Sequence, residues 1–203
     1  MSEDLVPVPV ARWTRWVENF TARHGATALG TAEGSLSGRA EDGSVFAAYP
    51  PFVRPYDGPP ELEPFLAACT PPPAWGVLLV RKGGFAVARL EGERTVESKV
   101  GQRHVQGRTK AGGQSQQRFA RRRDNQARAA YEAAAEHAAR ILGHVPLLVT
   151  GGDHAAVAAV LEDRRLARLV VVPPFLAVPD PRRSVLEGAV ADASCVRVRV
   201  ANA

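Results

Sequence analysis

Apolar residues recur at two different spacings along the chain, and these spacings predict where helices and strands lie. Near the N-terminus they return every three or four residues, at Val10, Trp13, Val17 and Phe20. This spacing predicts an amphipathic helix that ends near Gly25. The small residues that follow are interrupted at Glu33-Gly34 and Asp42-Gly43, which is typical of short strands joined by tight turns. We therefore expect residues 1–50 to form a helix and a small β meander.

The next segment is dominated by proline. Between Pro50 and Pro73 the chain holds nine of its 16 prolines. Proline removes a backbone donor and restricts its neighbours, so this composition disfavours regular helix and sheet. We interpret residues 51–73 as a connector between residues 1–50 and a larger domain formed by residues 74–203.

The larger domain is predicted to begin with an antiparallel meander. Three strand-like runs, Trp75 to Arg81, Phe85 to Glu91 and Thr95 to Val100, are separated by glycine-containing turns. Further along, a long helix is indicated by a narrow apolar stripe formed by Ala127, Ala130, Ala134, Ala138 and Ile141. Gly143 is expected to end that helix.

The rest of the chain alternates between strands and helices. The run "VPLLVT" predicts a strand, Asp153 is expected to cap a helix, and "LARLVVVP" predicts another strand. A short helix around 185–190 and a last strand, "SCVRVRV", complete the pattern. In that strand Val196, Val198 and Val200 are expected to face inward, and Arg197 and Arg199 outward. The order predicts a mixed α/β (α+β) fold.

Composition narrows the possible classes of protein. The 203 residues are 45% hydrophobic and 23% charged, values that exclude fibrous and wholly disordered classes. The two cysteines, Cys69 and Cys195, lack the spacing of a zinc site or a disulfide framework, so we expect no metal. The N-terminus has acids and prolines where a signal peptide needs a basic start and an apolar run, and no stretch is as long as a membrane span. We expect a cytoplasmic protein.

The net charge of +5 is concentrated around one unusual segment, "KAGGQSQQ", which runs from Lys110 to Gln117. A glycine pair permits close approach of another molecule to the main chain, at a cost in conformational entropy. Glutamine is neutral, but its amide can orient a water molecule, and the backbone N–H groups beside it can bind an oxyanion. The surrounding arginines suit a phosphate backbone. This combination predicts an RNA ligand that carries a reactive bond.

The Gly-Gly-Gln at 112–114 resembles the tripeptide of class-I translation release factors. The wider stretch "RHVQGRTKAGGQSQQRFARRR" is similar to the Vms-like release factor family, whose members free nascent chains from stalled, split ribosomes. The resemblance covers about residues 75–200. It implies a release-factor catalytic-domain-like fold, in which an RNase-H-like sheet is followed by a long helix after the Gly-Gly-Gln loop. A small N-terminal α+β subdomain precedes it, and without the family's zinc-finger or ankyrin segments the chain resembles a minimal bacterial version.

The resemblance also implies an activity, that of a codon-independent peptidyl-tRNA hydrolase that rescues stalled ribosomes. Water attacks the ester of the nascent chain, Gln114 helps to place that water, and Gly112 and Gly113 permit the approach. The eukaryotic relatives carry the essential glutamine one position later in an ungapped match, where this chain has Ser115. Gln114 and Gln116 therefore both remain candidates, and the literal Gly-Gly-Gln favours Gln114.

The implied partners are the large ribosomal subunit, peptidyl-tRNA and rRNA, with no membrane and no cofactor, and the chain is expected to act as a monomer. The residues expected to bind RNA are Arg103, His104, Arg108, Lys110, Arg118, Arg121, Arg122 and Arg123. For Arg121 to Arg123 a solvated helix face remains an alternative, because their spacing does not place all three on one side.

Two other functions stay open at this point. The first is a non-catalytic protein that binds RNA or the ribosome and merely docks through the basic, glycine-rich loop. The second is a metal nuclease, suggested only by the α/β order, for which Glu91, Glu93 and Glu97 do not form a convincing set. The segment "TGGDHAAV" at 150–157 resembles a phosphate loop only loosely, and a helix cap by Asp153 explains it better.

Overall fold

The chain folds into two compact units, each built on one five-stranded sheet. The computed structural model describes the backbone of residues 5–102, 114–143 and 145–203, and their side chains except those of 102 and 114–127. The first unit comprises residues 1–71 and 190–203, and the second comprises residues 72–189. The predicted mixed α/β class is confirmed. Among the described residues, no helix has the length and apolar character needed to cross a membrane.

The α-helices are α1 (Trp13–His24), α2 (Leu62–Ala68), α3 (Gln114–Leu142), α4 (His154–Leu161) and α5 (Arg183–Ala193). The strands are β1 (Val6–Val8), β2 (Thr27–Ala32), β3 (Ser35–Ala40), β4 (Val45–Tyr49), β5 (Trp75–Arg81), β6 (Gly84–Glu91), β7 (Arg94–Gln102), β8 (Leu147–Gly152), β9 (Val170–Leu176) and β10 (Val196–Ala201). Short 3-10 helices occupy Val10–Arg12, Pro51–Val53 and Arg164–Leu166.

The sheet of the first unit is antiparallel, in the order β1-β10-β4-β3-β2. Helix α1 packs its apolar stripe against one face of this sheet, as its spacing predicts. The Trp13 ring is fully buried and meets Phe46 of β4 edge to face, with ring centroids 5.8 Å apart. Phe65 of α2 joins the same cluster. One face of the sheet is therefore core, and its other face carries the alternate residues of each strand.

The first unit differs from the sequence-based division at two places. Strand β10 pairs with β1 and β4, so the end of the chain belongs to the first sheet rather than with residues 74–203. Its alternation is partly as expected, because Val196 and Val198 are buried while Val200 is 38% exposed. Helix α2 lies inside the proline-rich segment that was expected to be a connector. Pro64 sits in the first turn of α2, where a missing N–H costs no hydrogen bond.

The sheet of the second unit has the order β7-β6-β5-β8-β9. Strands β5, β6 and β7 form the predicted antiparallel meander, and β8 and β9 run parallel to β5. Helices α3 and α4 cover one face of this sheet, with Leu78, Val87 and Ala138 among the buried residues of the shared core. The predicted long helix is confirmed, and it ends at Leu142, directly before Gly143.

Candidate functional site

The Gly-Gly-Gln segment lies between two elements of the second unit that are fixed to the same sheet. Strand β7 ends at Gln102 and helix α3 begins at Gln114. Six of the predicted site residues lie outside the described residues, namely Arg103, His104, Arg108, Lys110, Gly112 and Gly113. The other six are on the backbone of α3, namely Gln114, Gln116, Arg118, Arg121, Arg122 and Arg123.

The strand that enters the segment is held along its whole length. Strand β7 pairs antiparallel with β6 from Arg94 to Gln102, with one irregularity beside Arg89. Gly101 lies beneath the ring of Phe85, where a Cβ atom would overlap the aromatic carbons. The absence of a side chain at Gly101 therefore leaves room for the Phe85 ring of the neighbouring strand, one residue before β7 ends.

The helix that leaves the segment is anchored by its second half. Ala134, Ala138 and Ile141 are buried against the sheet, as the predicted stripe requires, while Ala130 is only partly buried. The His137 ring stacks on Phe85 with centroids 5.4 Å apart. An ion pair joins Arg140 of α3 to Glu97 of β7. No local pattern in the sequence indicates this contact, because the partners are 43 positions apart and neither has a distinctive neighbourhood.

The start of α3 has a chemical character of its own. The first four N–H groups of an α-helix lack partners within the helix, and the helix dipole makes that end electropositive. In α3 these groups belong to residues 114–117, which include both candidate glutamines. At 1.5 Å per residue, the 17 steps from Gln114 to Tyr131 span about 26 Å along the helix axis. Gln114 therefore stands at the far end of the helix from its packed half.

Tyr131 of α3 lies near Asp153, at the start of α4. Tyr131 is partly buried. Burial is the larger cause that raises the pKa of its hydroxyl, and the nearby Asp153 carboxylate is the smaller one. The Asp153 carboxylate accepts hydrogen bonds from the N–H groups of Ala155 and Ala156 at 3.0 and 3.1 Å. Asp153 is thus the N-cap of α4, which confirms the helix-cap interpretation of "TGGDHAAV".

Two of the three carboxylates considered for a nuclease, Glu91 and Glu97, are engaged in ion pairs. Glu91 accepts hydrogen bonds from Arg94 at 2.7 Å and from Arg89 at 3.3 Å. Glu97 is paired with Arg140. Within the described ranges, no three His, Cys, Asp or Glu side chains converge on a point where a metal ion could bind.

Comparison with solved structures finds similar proteins at low sequence identity. The Vms1 mitochondrial localization core aligns with a TM-score of 0.44 and 12% identity, over 92% of this chain and 80% of that one. The archaeal translation termination factor aRF1 aligns with a TM-score of 0.38 and 15% identity, over 93% of this chain and 63% of that one. Pelota from Archaeoglobus fulgidus gives a TM-score of 0.25 and 12% identity, over 87% of this chain and 58% of that one.

Comparison with sequences gives a more specific result. None of the curated proteins is significantly similar to the chain. A family model, described as the Actinobacteria/chloroflexi VLRF1 release factor, matches residues 73–199. The match covers well over half of the chain and contains β5 to β9, the Gly-Gly-Gln segment and α3. The resemblance expected from the motif is confirmed, and the chain belongs to the Actinobacteria/chloroflexi VLRF1 release factor family.

Proposed function

We propose that this protein is a peptidyl-tRNA hydrolase that rescues stalled ribosomes. It acts without reading a codon, on peptidyl-tRNA held by the large ribosomal subunit after the subunits have separated. The observation that carries this proposal is the start of α3 at Gln114, immediately after Gly112-Gly113, in a chain that belongs to a release-factor family. The partners are the large subunit, its rRNA and the peptidyl-tRNA.

The chemistry needs one water molecule and no activated nucleophile from the protein. The water oxygen attacks the ester carbonyl carbon, and the carbonyl oxygen becomes an oxyanion. The intermediate then collapses, the bond to the ribose oxygen breaks, and that oxygen takes the proton that the attacking water gives up. The products are a free peptide acid and a tRNA with a free terminal hydroxyl.

The N-terminal turn of α3 supports this chemistry electrostatically. Backbone N–H groups at a helix start stabilise negative charge. One well-placed oxyanion donor lowers the barrier by on the order of 3 kcal/mol. The Gln114 side chain orients the water, and Gln116 is the alternative for this role. Gly112 and Gly113 leave room for the ester to approach the main chain.

The basic residues around the motif supply affinity for RNA. A helix with 3.6 residues per turn places positions 118, 121 and 122 within about 100° of one another, while position 123 falls outside this sector. We propose that Arg118, Arg121 and Arg122 contact phosphates together and that Arg123 contributes less. Arg103, His104, Arg108 and Lys110 act on the other side of the motif. These contacts set binding and its salt dependence, rather than the rate of the chemical step.

The reach of α3 fits a substrate that lies inside a large assembly. About 26 Å of helix separates the motif from Tyr131, so the second unit can pack outside a channel while the motif lies within it. The ion pair between Glu97 and Arg140 joins the entering strand to the leaving helix and limits how far they can separate. The motif can therefore reach a substrate inside the channel while the sheet of the second unit stays outside it.

The test measures release of a labelled nascent peptide from purified large subunits that carry peptidyl-tRNA. The variants are Gln114→Ala, Gln116→Ala and a triple charge reversal of Arg121 to Arg123, with sedimentation as a separate measure of binding. Gln126→Ala is the matched control, because it removes the same side chain from the same helix about 18 Å further along. We expect one motif variant to lose about 100-fold in rate with binding retained, and the control to behave as wild type.

The charge-reversed variant separates binding from chemistry. It is expected to need much more protein for half-maximal release, and this deficit should shrink as salt is lowered. If wild type binds but releases no peptide, or if both motif variants release at the wild-type rate, the protein docks without catalysis and the hydrolase proposal fails.

A further inference from the structure

The outer face of the first unit's sheet, opposite α1, has features that the proposed hydrolase activity does not use. An open depression of about 390 Å³ lies on this face, lined by residues of β2, β3, β4 and β10. Its lining includes the small residues Gly30, Ser37 and Ala47 together with the larger Leu29, Val45 and Phe46. Arg39 and Arg199 stand at its margins. We name this surface the outer face and define it by the two arginines and the three small residues.

The charge of the sheet has one sign. The five strands of the first unit carry three charged residues, and all three are arginines: Arg39, Arg197 and Arg199. Arg197 is largely buried and bonds to Asp192 at 2.9 Å. Arg39 is exposed, and no carboxylate among the described residues lies within ion-pair distance of it. A polyanion is the ligand that this pattern complements.

The acids nearest in sequence turn toward α1 instead. Asp42, in the turn between β3 and β4, bonds to the His24 ring at 2.8 Å, and His24 is the last residue of α1. Glu41 of the same turn lies beside Gly25, directly after α1. Neither carboxylate therefore offsets the positive charge of the outer face.

The strand register sets the distance between the two margins. Arg39 on β3 is opposite Val45, and Arg199 on β10 is opposite Ala47, so β4 lies between them and their positions are offset by two residues. Two inter-strand steps of about 4.8 Å, with an offset of about 7 Å along the strand, put their Cα atoms about 12 Å apart. Long arginine side chains at this separation can contact two phosphates of one RNA strand.

An aromatic ring supports one of the two arginines. The Arg199 guanidinium carbon lies 5.9 Å from the centroid of the Tyr49 ring. A planar guanidinium beside an aromatic ring provides a stacking surface for a base, which is how many proteins bind single-stranded nucleic acid. On β4, which lies between the two arginines, the residues opposite Arg39 and Arg199 are Val45 and Ala47.

We propose that the outer face of the first sheet binds single-stranded RNA, as a second RNA contact distinct from the Gly-Gly-Gln segment. Arg39 and Arg199 contact phosphates, and Tyr49 with Arg199 stacks a base. In the assembly on which the chain acts, this strand belongs to the rRNA of the large subunit, and this last step rests on the proposed function. RNA binding itself does not depend on catalysis.

The first experiment identifies what lies against the outer face. An Ala28→Cys variant carries a benzophenone photocrosslinker at the exposed rim of the depression, and Thr14→Cys carries the same label on the exposed side of α1. Cys69 and Cys195 are buried, so the introduced thiol is the one that is labelled. Each variant is irradiated with a radiolabelled 20-nucleotide RNA and, separately, with purified large subunits. We expect RNA adducts at position 28 at least fivefold above those at position 14.

The second experiment measures affinity for the same RNA by fluorescence anisotropy with the full chain. Arg39→Glu and Arg199→Glu are each expected to weaken binding about tenfold and to lower the salt dependence by about one released ion. Arg39→Gln should give a smaller loss. The matched control is Arg15→Glu, an exposed arginine of α1 that changes the net charge equally and is expected to shift affinity by less than twofold.

The two experiments overturn the proposal in defined ways. Adducts at position 28 that contain only ribosomal protein, or only a second copy of this chain, assign the outer face to a protein partner. Affinities of Arg39→Glu and Arg199→Glu within twofold of Arg15→Glu show that the outer face does not bind RNA. Thermal unfolding of each variant checks that the sheet is intact. Neither assay needs peptidyl-tRNA, so a failure of peptide release leaves both results interpretable.

Discussion

Glu97 of β7 and Arg140 of α3 form an ion pair that links the strand entering the Gly-Gly-Gln segment to the helix leaving it. The Glu97 side chain is 35% exposed and that of Arg140 is 58% exposed, so water screens the pair. Exposed pairs of this kind contribute about 0–1 kcal/mol to folding. The pair therefore matters more for the relative position of the two elements than for stability.

Replacing Arg140 with alanine should separate these two effects. We expect the free energy of unfolding to fall by less than about 1 kcal/mol, while amide hydrogen exchange rises in β7 and in the last turns of α3. Arg94→Ala is the matched control, because Arg94 pairs at 2.7 Å with Glu91, where β6 turns into β7, and not with a residue of α3. Equal exchange in α3 for both variants would show that the link between Glu97 and Arg140 does not restrain the helix.

The N-cap of α4 provides a second prediction. Asp153 accepts from the N–H groups of Ala155 and Ala156, so Asp153→Ala leaves both donors without their partner. The expected loss of stability is about 0.5–2 kcal/mol, measured by urea unfolding. Asp153→Asn keeps an acceptor oxygen and should lose much less. A loss of the same size in both variants would point to the charge of Asp153, near Tyr131, rather than to the cap.

Local patterns predicted most of the second unit. The strands β5, β6 and β7 and the helix α3 lie close to their expected bounds, because period-2 and period-3.6 patterns with glycine turns are local signals. The alternation of β10 predicted a strand, but alternation says nothing about which strands are its neighbours. Its pairing with β1 and β4 depends on contacts more than 140 residues away in sequence. The high proline content of the segment concealed α2. The helix forms there because its one proline, Pro64, lies in the first turn, where proline is tolerated.

The sequence predicts the chemistry of the candidate site but not the contacts that support it. The Gly-Gly-Gln motif and its arginines are contiguous in sequence, so residue type and spacing are enough to predict an RNA ligand that carries a reactive bond, and this stays a prediction. The pairing of Glu97 with Arg140 could not be predicted, because it depends on where α3 packs against β7, which no local sequence pattern indicates. The outer face of the first sheet was likewise hidden, since its arginines come from strands at opposite ends of the chain.

The two cysteines give a third prediction, on thiol reactivity. Cys69 is buried in the core of the first unit, and burial raises the pKa of its thiol to about 12. At pH 8 only about one thiol in ten thousand is then ionised, and the thiolate is the reactive form. Burial also raises the pKa of Cys195. We expect no thiol to react with Ellman's reagent in the native protein, and two to react in guanidinium chloride.

A faster native reaction at either cysteine would mean that the core opens locally. Cys69→Ser and Cys195→Ser assign the signal, because each variant should release one thiol on unfolding instead of two. Labelling at pH 8 without denaturant that reaches one thiol per chain contradicts the prediction.

Asp163 gives a fourth prediction, on acid stability. Its carboxylate accepts from the Arg165 side chain and from the Arg165 backbone N–H, which lowers the pKa to about 2 from an ordinary value of 3.8. A lowered folded-state pKa means that the stabilisation is complete above about pH 4 and is lost as pH falls toward 2. Between about pH 4 and pH 2, the melting temperature of Asp163→Asn should therefore fall less than that of the wild type.

The partner of Asp163 provides the control. In Arg165→Ala the side-chain donor is gone, and the Asp163 pKa, followed by carbon NMR of the carboxyl group, should rise toward 3.8. A titration that stays near 2 would show that the backbone N–H of Arg165 alone lowers the pKa.

A fifth prediction concerns Gly76 and Leu142, which tie β5 to the end of α3. A Cβ atom at Gly76 would overlap Cδ2 of Leu142, and the Leu142 side chain is fully buried and cannot move aside. Gly76→Ala should cost about 1–3 kcal/mol through overpacking, and Leu142→Ala about 2–5 kcal/mol through the cavity that it leaves. The cavity and the added methyl group occupy the same space, so the double variant should be more stable than the sum of the single losses predicts.

A double-mutant cycle by urea unfolding measures this coupling, which we expect to lie between about 0.5 and 3 kcal/mol. The new methyl group would still lie 3.3 Å from the Ala88 carbonyl oxygen. The backbone of β6 cannot shift away without breaking its pairing with β5, so this contact limits how much stability the double variant regains. Leu142→Ala with Gly101→Ala is the matched control pair, since Gly101 packs against Phe85 rather than Leu142. Additive losses for Gly76 and Leu142 would mean that β5 moves away from α3 when the methyl group is introduced. In that case the glycine is needed for the strand's own conformation and not for its contact with the helix.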